Sequence, residues 1–461
     1  MAVDIEARDL AAAARGTSQL GASQPYIGII GDSIAAPDYN GSDKVTPSTP
    51  TNALKSANGI ASWALALCGQ RVLCPASTNI WAYPGQETGT ILANLPAFLA
   101  QMPVRPGAII IECGTNNISH NGATGTFAAI TTDWAAIADY LAGRGIRTIF
   151  IPILPRGAGF TTLFTAAQFD VMERCNRWLN AFAAQAGRTV AVASARLPWV
   201  TAPHQVGAQP RPNFTIDGTH PGVTGAYYIG KAIAQILNLW YPPLDILATN
   251  GQIWSASAPY SNLLANPMMQ GGGGTVTAPS SGTIAGAAPT GHTVSMSNSA
   301  GLTVTHAQVT SSLSGNPMHQ MTFSGAHTVT GSSAGPTYGH FSRIILGMAS
   351  GATTALQAGD TIEGLMAFEI DAGAQGFAFP TLEMRWGGSA NYHRDLHSAA
   401  RELPSEAISG VLRTPAKILT GTPLVGDVML IAYAMLKSYP DGAVTDGATI
   451  RFGRAVLQKV G

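Results

Sequence analysis

Apolar and polar positions in the first half of this 461-residue chain alternate in a pattern of short buried strands separated by amphipathic helices. The first apolar run is PYIGIIGDSIA, residues 25–35, in which Tyr26 and the isoleucines that follow carry no charge. A β-branched, uncharged run is typical of a strand buried on both faces of a parallel sheet. It reaches Gly31-Asp32-Ser33, where we expect a sharp turn that places the serine hydroxyl at the carboxyl end of a central strand.

Four more strands and the helices between them are predicted downstream. The strands are expected at residues 71–77, 108–113, 147–155 and 188–194, and the helices at 53–67, from 88 onward, and at 127–142, 166–186 and 222–239. Each connection is long enough to hold a helix, and such crossovers are right-handed, so the pattern predicts a doubly wound five-stranded parallel sheet. Before the first strand, residues 4–15 have helical composition and predict either a short amphipathic helix or a frayed leader.

The second half of the chain has a different pattern. Helical periodicity ends after Trp240-Tyr241-Pro242-Pro243, and from about residue 250 short Thr/Val/Ser-rich runs alternate with glycines. Strands at short, regular spacing predict an antiparallel β-sandwich of jelly-roll type, with a helical interruption near residues 399–408 as a further expectation. The chain is too long for one core. We therefore expect a leader at 1–22, an α/β domain at 23–245, a linker and sandwich entry at 246–275, and a β-sandwich domain at 276–461.

The composition excludes several classes of partner. Charged residues make up 11% of the chain and the formal net charge is zero, against about 25% charged residues in typical soluble proteins. Such a surface has no basic field for nucleic acid and no polybasic face for anionic lipid, and it suits neutral ligands such as sugars. No run of about 18 apolar residues and no apolar core of signal-peptide length is present, so neither a membrane span nor classical export is expected.

The cysteines and histidines do not show the spacing of a metal site. The four cysteines, Cys68, Cys74, Cys113 and Cys175, fall within apolar patterns and are expected to be reduced, buried thiols, with a Cys68–Cys74 bridge as the alternative. Of the histidines after residue 250, only His393 and His397 have a spacing that a metal could use, and no third ligand is evident nearby.

Polar residues follow the next predicted strands at the same edge of the sheet. Gly85 lies between an extended segment and the helix from residue 88, so its backbone N–H would point out of a helix amino terminus, where an oxyanion could be held. The strand at 108–113 runs into Gly114-Thr115-Asn116-Asn117. Taken alone, Gly85 is equally well explained as a turn glycine and Asn116 as a turn or capping residue.

Asp217 and His220 close a long Pro-rich loop after the fifth predicted strand. Their three-residue spacing lets one turn carry both groups, so the carboxylate can accept from the ring Nδ1–H and leave Nε2 to face the serine. In isolation this pair is also compatible with a metal site or a helix cap. Its position after the serine, glycine and asparagine motifs favours a catalytic site.

Over residues 25–240, these four motifs resemble those of the SGNH (GDSL-type) ester hydrolases. The resemblance implies a flavodoxin-like α/β fold in which Ser33 is the nucleophile, His220 its general base and Asp217 the carboxylate that orients the histidine. It implies no metal and no organic cofactor.

The same resemblance implies an oxyanion hole made by the backbone N–H groups of Ser33 and Gly85 and the side-chain amide of Asn116. The chain departs from the family at Asn117, where an aspartate is usual. This departure puts a local supporting hydrogen bond in doubt rather than the activity.

The resemblance implies a serine esterase, and we expect it to remove O-acetyl or other short acyl groups from a polysaccharide. The segment SNLLANPMMQGGGGT resembles the entry to carbohydrate-binding-module-like sandwiches. We expect an O-acetylated carbohydrate as partner, no nucleic acid or membrane, and a homo-oligomer built through the sandwich. The glycine-rich β half and the missing signal peptide favour a virion-associated or non-classically exported protein, with a cytoplasmic one as the alternative.

Other functions stay open at this point. One is a glycan-binding or structural phage-tail-type protein whose hydrolase half is inactive or incidental. Another is a lipase or thioesterase of the same family.

Overall fold

The computed structural model describes residues 24–36, 52–120, 122–157, 159, 162–200, 202, 204–249, 253–258, 261–297, 299–330, 340–386, 392–397, 401–419 and 428–460. These residues form two units. One contains residues 25–36 and 56–243, and the other contains residue 24, residues 52–55 and the described residues from 244 onward. The predicted leader at residues 1–22, with its helix at 4–15, lies outside the described residues.

In the first unit, strands and helices alternate along the chain. The strands up to residue 200 are β1 (Ile27–Gly31), β2 (Asn52–Ser56), β3 (Ile80–Ala82), β4 (Ala108–Glu112), β5 (Arg147–Phe150) and β6 (Val190–Val192). The helices are α1 (Ile60–Leu67), α2 (Ala76–Asn79), α3 (Thr88–Gln101), α4 (Thr115–His120), α5 (Phe127–Ala142), α6 (Ala166–Ala183), α7 (Arg196–Trp199) and α8 (Val223–Trp240). All strands except β2 form one parallel sheet in the order β3-β1-β4-β5-β6, which confirms the predicted fold class.

The two central strands of this sheet are β1 and β4. Both are buried along their whole length, as expected for strands rich in apolar β-branched residues that helices cover on both faces. They pair in register from Ile27 beside Ala108 to Gly31 beside Glu112. The carboxyl ends of the first and third predicted strands therefore lie next to each other.

Helices pack onto this sheet through large apolar side chains. Ile30 of β1 and Ile109 and Ile111 of β4 share one core cluster with apolar residues of α3, α5 and α6. The helices α1 and α8 pack against each other through the rings of Trp63 and Tyr227, whose centroids are 5.5 Å apart. Helices on a parallel sheet supply the apolar cover that such a sheet requires.

Two sequence-based predictions are wrong. The helix predicted at 53–67 begins only at Ile60, because residues 52–56 form β2 in a sheet of the second unit. The strand predicted at 71–77 is displaced to residues 80–82, and within 71–77 Leu73 makes only an isolated bridge to Tyr26. Pro75 explains the displacement, since it offers no N–H to a neighbouring strand and instead begins the helical turn α2.

The second unit is built almost entirely from strands. They are β2 together with β7 (Thr275–Thr277), β8 (Thr283–Gly286), β9 (Thr293–Met296), β10 (Leu302–Thr310), β11 (Pro317–Val329), β12 (Phe341–Leu346), β13 (Thr361–Ile370), β14 (Phe377–Arg385), β15 (Tyr392–His397), β16 (Ile408–Arg413), β17 (Lys417–Ile418), β18 (Met429–Leu436) and β19 (Gly442–Lys459).

Two seven-stranded sheets result, consistent with the predicted β-sandwich. One has the order β16-β13-β19-β11-β10-β8, with β17 paired to β13, and the other has the order β2-β15-β14-β18-β12-β9-β7. Most neighbours are antiparallel, although β8 pairs with β10 and β7 with β9 in parallel. A jelly-roll connectivity stays a prediction. The helical interruption expected near 399–408 is absent from residues 401–408, which are irregular until β16 begins.

The four cysteines are buried and free, so the alternative Cys68–Cys74 bridge is not formed. Within the described ranges, no helix combines the length and apolar character needed to cross a membrane. The same residues contain no group of three or more histidine, cysteine or acidic side chains placed to hold a metal ion. His393 is buried and its Nδ1 pairs with the Pro415 carbonyl oxygen, whereas the side chain of His397 lies outside the described residues.

A pair of histidines is buried between strands of the sandwich unit. His306 Nδ1 and His319 Nε2 are 2.8 Å apart, and His306 Nε2 lies 3.3 Å from Ser342 Oγ. Burial lowers the pKa of His306 to about 4 and that of His319 to about 3. Both rings are therefore neutral in the folded protein near neutral pH, while the unfolded chain takes up protons below its ordinary histidine pKa of 6.5.

We expect the sandwich unit to lose stability as the pH falls below 6.5, because the unfolded state then binds protons that the buried pair excludes. At pH 5 the loss is about 2 kcal/mol for each buried histidine, at 1.36 kcal/mol per pH unit. His319→Met should therefore show a smaller drop in melting temperature between pH 7 and pH 5 than the wild type, as measured by calorimetry of the full chain. An equal drop in both proteins would contradict this account.

Candidate active site

Ser33 follows the carboxyl end of the central strand β1 and is partly buried. The turn into it depends on Gly31, because a Cβ there would lie 2.8 Å from the Glu112 carbonyl oxygen and from Ala35 Cβ. A side chain at position 31 would therefore push β1 away from β4. Within the described residues, neither the Ser33 hydroxyl nor its backbone N–H has a hydrogen-bond partner.

Asp32 holds this turn from inside the protein. The side chain is fully buried, and its Oδ1 accepts from the backbone N–H of Ile34 at 2.8 Å. Its Oδ2 accepts from Asn116 Nδ2 at 2.9 Å. His220 also lies close enough to the Asp32 carboxylate to act on its pKa. The residue next to Ser33 thus connects the first strand with the asparagine and histidine motifs.

Asp217 and His220 are brought together as the sequence predicts. Asp217 Oδ2 lies 2.7 Å from His220 Nδ1, and Oδ1 accepts from the backbone N–H groups of Thr219 and His220 at 3.0 and 2.8 Å. Burial alone would raise the pKa of Asp217, but the hydrogen bonds from the His220 ring and from these two N–H groups lower it on balance. An ionised carboxylate at Nδ1 keeps the proton on that nitrogen, so the lone pair that can accept a proton lies on Nε2.

Asn116 begins the helical turn after β4, and its amide is held on three sides. Nδ2 donates to Asp32 Oδ2 at 2.9 Å and to the Gln86 carbonyl oxygen at 3.0 Å, while Oδ1 accepts from Arg156 Nη2 at 3.2 Å. The amide nitrogen therefore faces the Ser33 turn and the Gly85-Gln86 turn. The second predicted oxyanion donor, Gly85, lies in that turn.

Gly85 has a positive φ of 79° and is exposed, and a Cβ added to it would meet no atom within 4 Å. Helix α3 begins three residues later, at Thr88. Within the described residues, the Gly85 N–H donates to no acceptor. The turn thus offers an unused N–H beside open space, as an oxyanion site requires.

Asn117, where the resemblance left a supporting hydrogen bond in doubt, makes that support with its amide. Oδ1 accepts from the Thr88 backbone N–H at 3.0 Å, and Nδ2 donates to Thr88 Oγ1 at 3.0 Å and to the Thr124 carbonyl oxygen at 3.2 Å. The side chain thereby caps the amino terminus of α3 from outside the helix. The departure from aspartate leaves the Gly85–Thr88 turn anchored.

Glu112, the last residue of β4, is a buried acid that the sequence analysis did not assign. Its Oε2 accepts from the Asp32 backbone N–H at 3.2 Å, and the two carboxyl groups lie close enough to shift each other's pKa. Burial, and then the negative charge of Asp32, raise the pKa of Glu112 well above its ordinary value. Burial also raises the pKa of Asp32, although the bond from Glu112 opposes this. Of the two acids, Glu112 is therefore the one whose protonated form its surroundings favour more strongly.

Arg156 is the second residue that sequence reasoning missed, and it is buried beside the same acids. A signal was present in both cases. Glu112 is the only charge in the apolar run AIIIEC, and Arg156 follows the apolar run IPILP directly. A charged residue at the end of a buried strand needs a partner, and the charge of Arg156 opposes the effect of burial on the pKa values of Asp32 and Glu112.

Glu112→Gln tests the buried proton. A glutamine keeps an acceptor for the Asp32 N–H and a donor for its carboxylate, so the fold should survive. In the wild type, the folded state holds a proton that the unfolded state releases above pH 4.5, so stability is lost as the pH rises from there. The variant should gain melting temperature relative to the wild type between pH 5 and pH 8. Asp170→Asn, at an exposed carboxylate, serves as control, and parallel curves for Glu112→Gln and the wild type would refute the assignment.

Comparison with known proteins gives the family of the first unit. Residues 29–227 match the model of the GDSL-like lipase/acylhydrolase family. None of the curated proteins matches the chain.

Among solved structures, the chain is similar to a candidate acylhydrolase from Bacteroides fragilis, with 17% identity over 50% of this chain and 98% of that one and a TM-score of 0.34. A GDSL-like lipase from Bacteroides thetaiotaomicron matches with 17% identity over 50% of this chain and 96% of that one, at a TM-score of 0.32. A lipase/acylhydrolase from Enterococcus faecalis matches with 14% identity over 48% and 100%, at a TM-score of 0.32. The family model alone carries the assignment: residues 29–227 form a domain of the GDSL-like lipase/acylhydrolase family.

Proposed function

We propose that the protein is a serine esterase that removes O-acetyl groups from a polysaccharide, with Ser33, His220 and Asp217 as its catalytic residues. The observation that carries the proposal is the hydrogen bond of 2.7 Å between Asp217 Oδ2 and His220 Nδ1, in a domain of the acylhydrolase family. This bond fixes the tautomer in which Nε2 can take a proton from a serine.

The reaction proceeds in two halves. Ser33 Oγ attacks the ester carbonyl carbon and gives its proton to His220 Nε2, and His220 then protonates the leaving alcohol oxygen as the C–O bond breaks. A water molecule, deprotonated by the same nitrogen, attacks the acyl carbon of the acyl-enzyme. His220 then gives that proton to Ser33 Oγ as the bond between Oγ and the acyl carbon breaks, which releases the carboxylic acid and free Ser33. Asp217 stays ionised and stabilises the imidazolium that forms in each half. The Ser33–His220 hydrogen bond forms when substrate binds, since such bonds are often open in the free enzyme.

The negative oxygen of the tetrahedral intermediate is stabilised by three donors. The N–H groups of Ser33 and Gly85 are unused within the described residues, and Asn116 Nδ2 adds a third. On substrate binding, the Asn116 hydrogen that now points to the neutral Gln86 carbonyl is redirected to the negative oxygen. A charged acceptor makes the stronger bond.

The choice of substrate is supported by the chain as a whole. A surface with 11% charged residues and no net charge suits a neutral glycan better than a polyanion. The second unit adds a β-rich body, and its segment SNLLANPMMQGGGGT resembles the entry to carbohydrate-binding-module-like sandwiches. Assembly through this unit and a location on a virion stay predictions.

Ser33→Ala should abolish the activity, because no other group in the site supplies the attacking oxygen. The assay measures acetate release from acetylated glycans and hydrolysis of p-nitrophenyl esters with acyl chains from acetate to decanoate. Acetate release by the wild type should exceed release of the longer acids. Ser257→Ala, at an exposed serine of the second unit, is the control and should match the wild type.

Equal rates for Ser33→Ala and the wild type would overturn the esterase assignment. A preference for decanoate would keep the chemistry but replace the glycan substrate with a lipid or thioester.

Asn116→Ala should lower kcat by about 10²–10³-fold with little change in KM, as expected for loss of one oxyanion donor. The reason is that the amide stabilises negative charge that is absent from the bound ester. Steady-state kinetics on p-nitrophenyl acetate measure the two constants separately. A rise in KM at unchanged kcat would show that Asn116 binds substrate instead.

A further inference from the structure

Arg156 lies just beyond β5, is only 5% exposed, and donates three side-chain hydrogen bonds into one helical turn. Nε donates to Thr115 Oγ1 at 2.8 Å, Nη1 to Ser119 Oγ at 2.8 Å, and Nη2 to Asn116 Oδ1 at 3.2 Å. The guanidinium therefore spans α4 and uses its planar fork to fix that turn in one orientation.

The charge of Arg156 is balanced by the buried acids. Burial lowers the pKa of the guanidinium, while the nearby carboxyl groups of Asp32 and Glu112 act in the opposite direction. A buried cation is tolerated when it has an anionic counterpart and acceptors for its donors. Here the buried acids are the counterpart, and Nε, Nη1 and Nη2 each have one acceptor. The ring of Phe164, with its centroid 5.5 Å from the guanidinium carbon, lies on another side.

The bond to Asn116 has a directional consequence. With Arg156 at Oδ1, the amide oxygen faces a cation and the amide nitrogen must face Asp32 and Gln86. Rotating the amide by half a turn would place its NH₂ group against the guanidinium and its oxygen against the Asp32 carboxylate. The rotated amide would place donor against donor and acceptor against acceptor, and these two repulsive contacts strongly disfavour it.

The backbone beyond Arg156 meets the turn that carries the catalytic pair. The Gly157 N–H donates to the Gly218 carbonyl oxygen at 2.6 Å. Gly159 has a φ of 150°, and a Cβ on it would lie 2.1 Å from the Asp217 carbonyl oxygen. The same short segment therefore touches Asn116 through a side chain and the Asp217–His220 turn through its backbone.

We propose that Arg156 is a positioning residue of the esterase: its guanidinium orients the Asn116 amide as an oxyanion donor while its neighbours hold the Asp217–His220 turn. This inference rests on the proposed function. Arg156 does not itself touch the reacting atoms and acts through Asn116.

The test is a double-mutant cycle between Arg156→Gln and Asn116→Ala, read as kcat and KM on p-nitrophenyl acetate. Arg156→Gln should lower kcat by roughly 10–100-fold and leave KM within about two-fold, because the loss falls on the transition state. The double variant should be no slower than Asn116→Ala alone, because Arg156 has nothing left to orient. A purely structural role predicts losses that multiply, and that outcome would overturn the inference.

Two further variants complete the experiment. Arg156→Lys keeps the buried charge but replaces the planar fork, and it should retain the fold while kcat falls between the wild type and Arg156→Gln. If Arg156→Gln does not fold, the cycle is run with the lysine variant. Arg177→Gln, at an exposed arginine of α6, is the matched control and should have wild-type kinetics.

The inference and the proposed function fail in different ways. Full activity of Ser33→Ala would overturn the esterase assignment, and the inference would fall with it. An inactive Ser33→Ala together with wild-type kcat in both Arg156 variants would overturn the inference alone.

Discussion

The buried carboxylate of Asp32 is the group on which the rest of the candidate site depends. It lies at the end of the central strand, with β4 directly alongside, and it cannot reach water. A charge in that position is costly unless donors surround it. The Ile34 N–H and the Asn116 amide are those donors, and the Glu112 carboxyl and the Arg156 charge lie nearby. The groups around this one carboxylate come from the carboxyl ends of β1, β4 and β5 or the residues that follow them. Their contacts with Asp32 therefore hold the ends of these three strands in place.

This arrangement explains why the reactive groups come from distant parts of the sequence. Parallel strands deliver their carboxyl ends to one edge, so a residue after each strand meets the residues after the others. The Asp217–His220 turn then needs only local bonds, and Asp217 provides them by using one oxygen for the backbone and the other for the ring. The fold supplies proximity, and a few buried polar contacts supply orientation.

Much of the secondary structure of the first unit could be predicted from local sequence. The helix at Phe127–Ala142 has the bounds that its periodicity predicts, and β1 and β4 lie where apolar β-branched runs indicate them. The strand at 71–77 was placed wrongly because its apolar residues precede Pro75, and periodicity does not register the lost N–H. Residues 52–56 were assigned to a helix because their pairing partners lie far away in the chain, in a sheet of the second unit. The bonds between Asp32 and Glu112, and between Asn116 and Arg156, span 80 and 40 residues. A single sequence shows which residues are charged, but it does not show which of them contact each other in the fold.

The most direct measurement of the central claim is covalent labelling of the nucleophile in the full-length protein. A fluorophosphonate, whose phosphorus takes the place of the ester carbonyl carbon, should add one label per chain, and peptide mapping by mass spectrometry should find it on Ser33. His220→Ala should slow the labelling by orders of magnitude, because the serine then lacks its base. A label on another residue, or labelling of Ser33 that is indifferent to His220, would contradict the account.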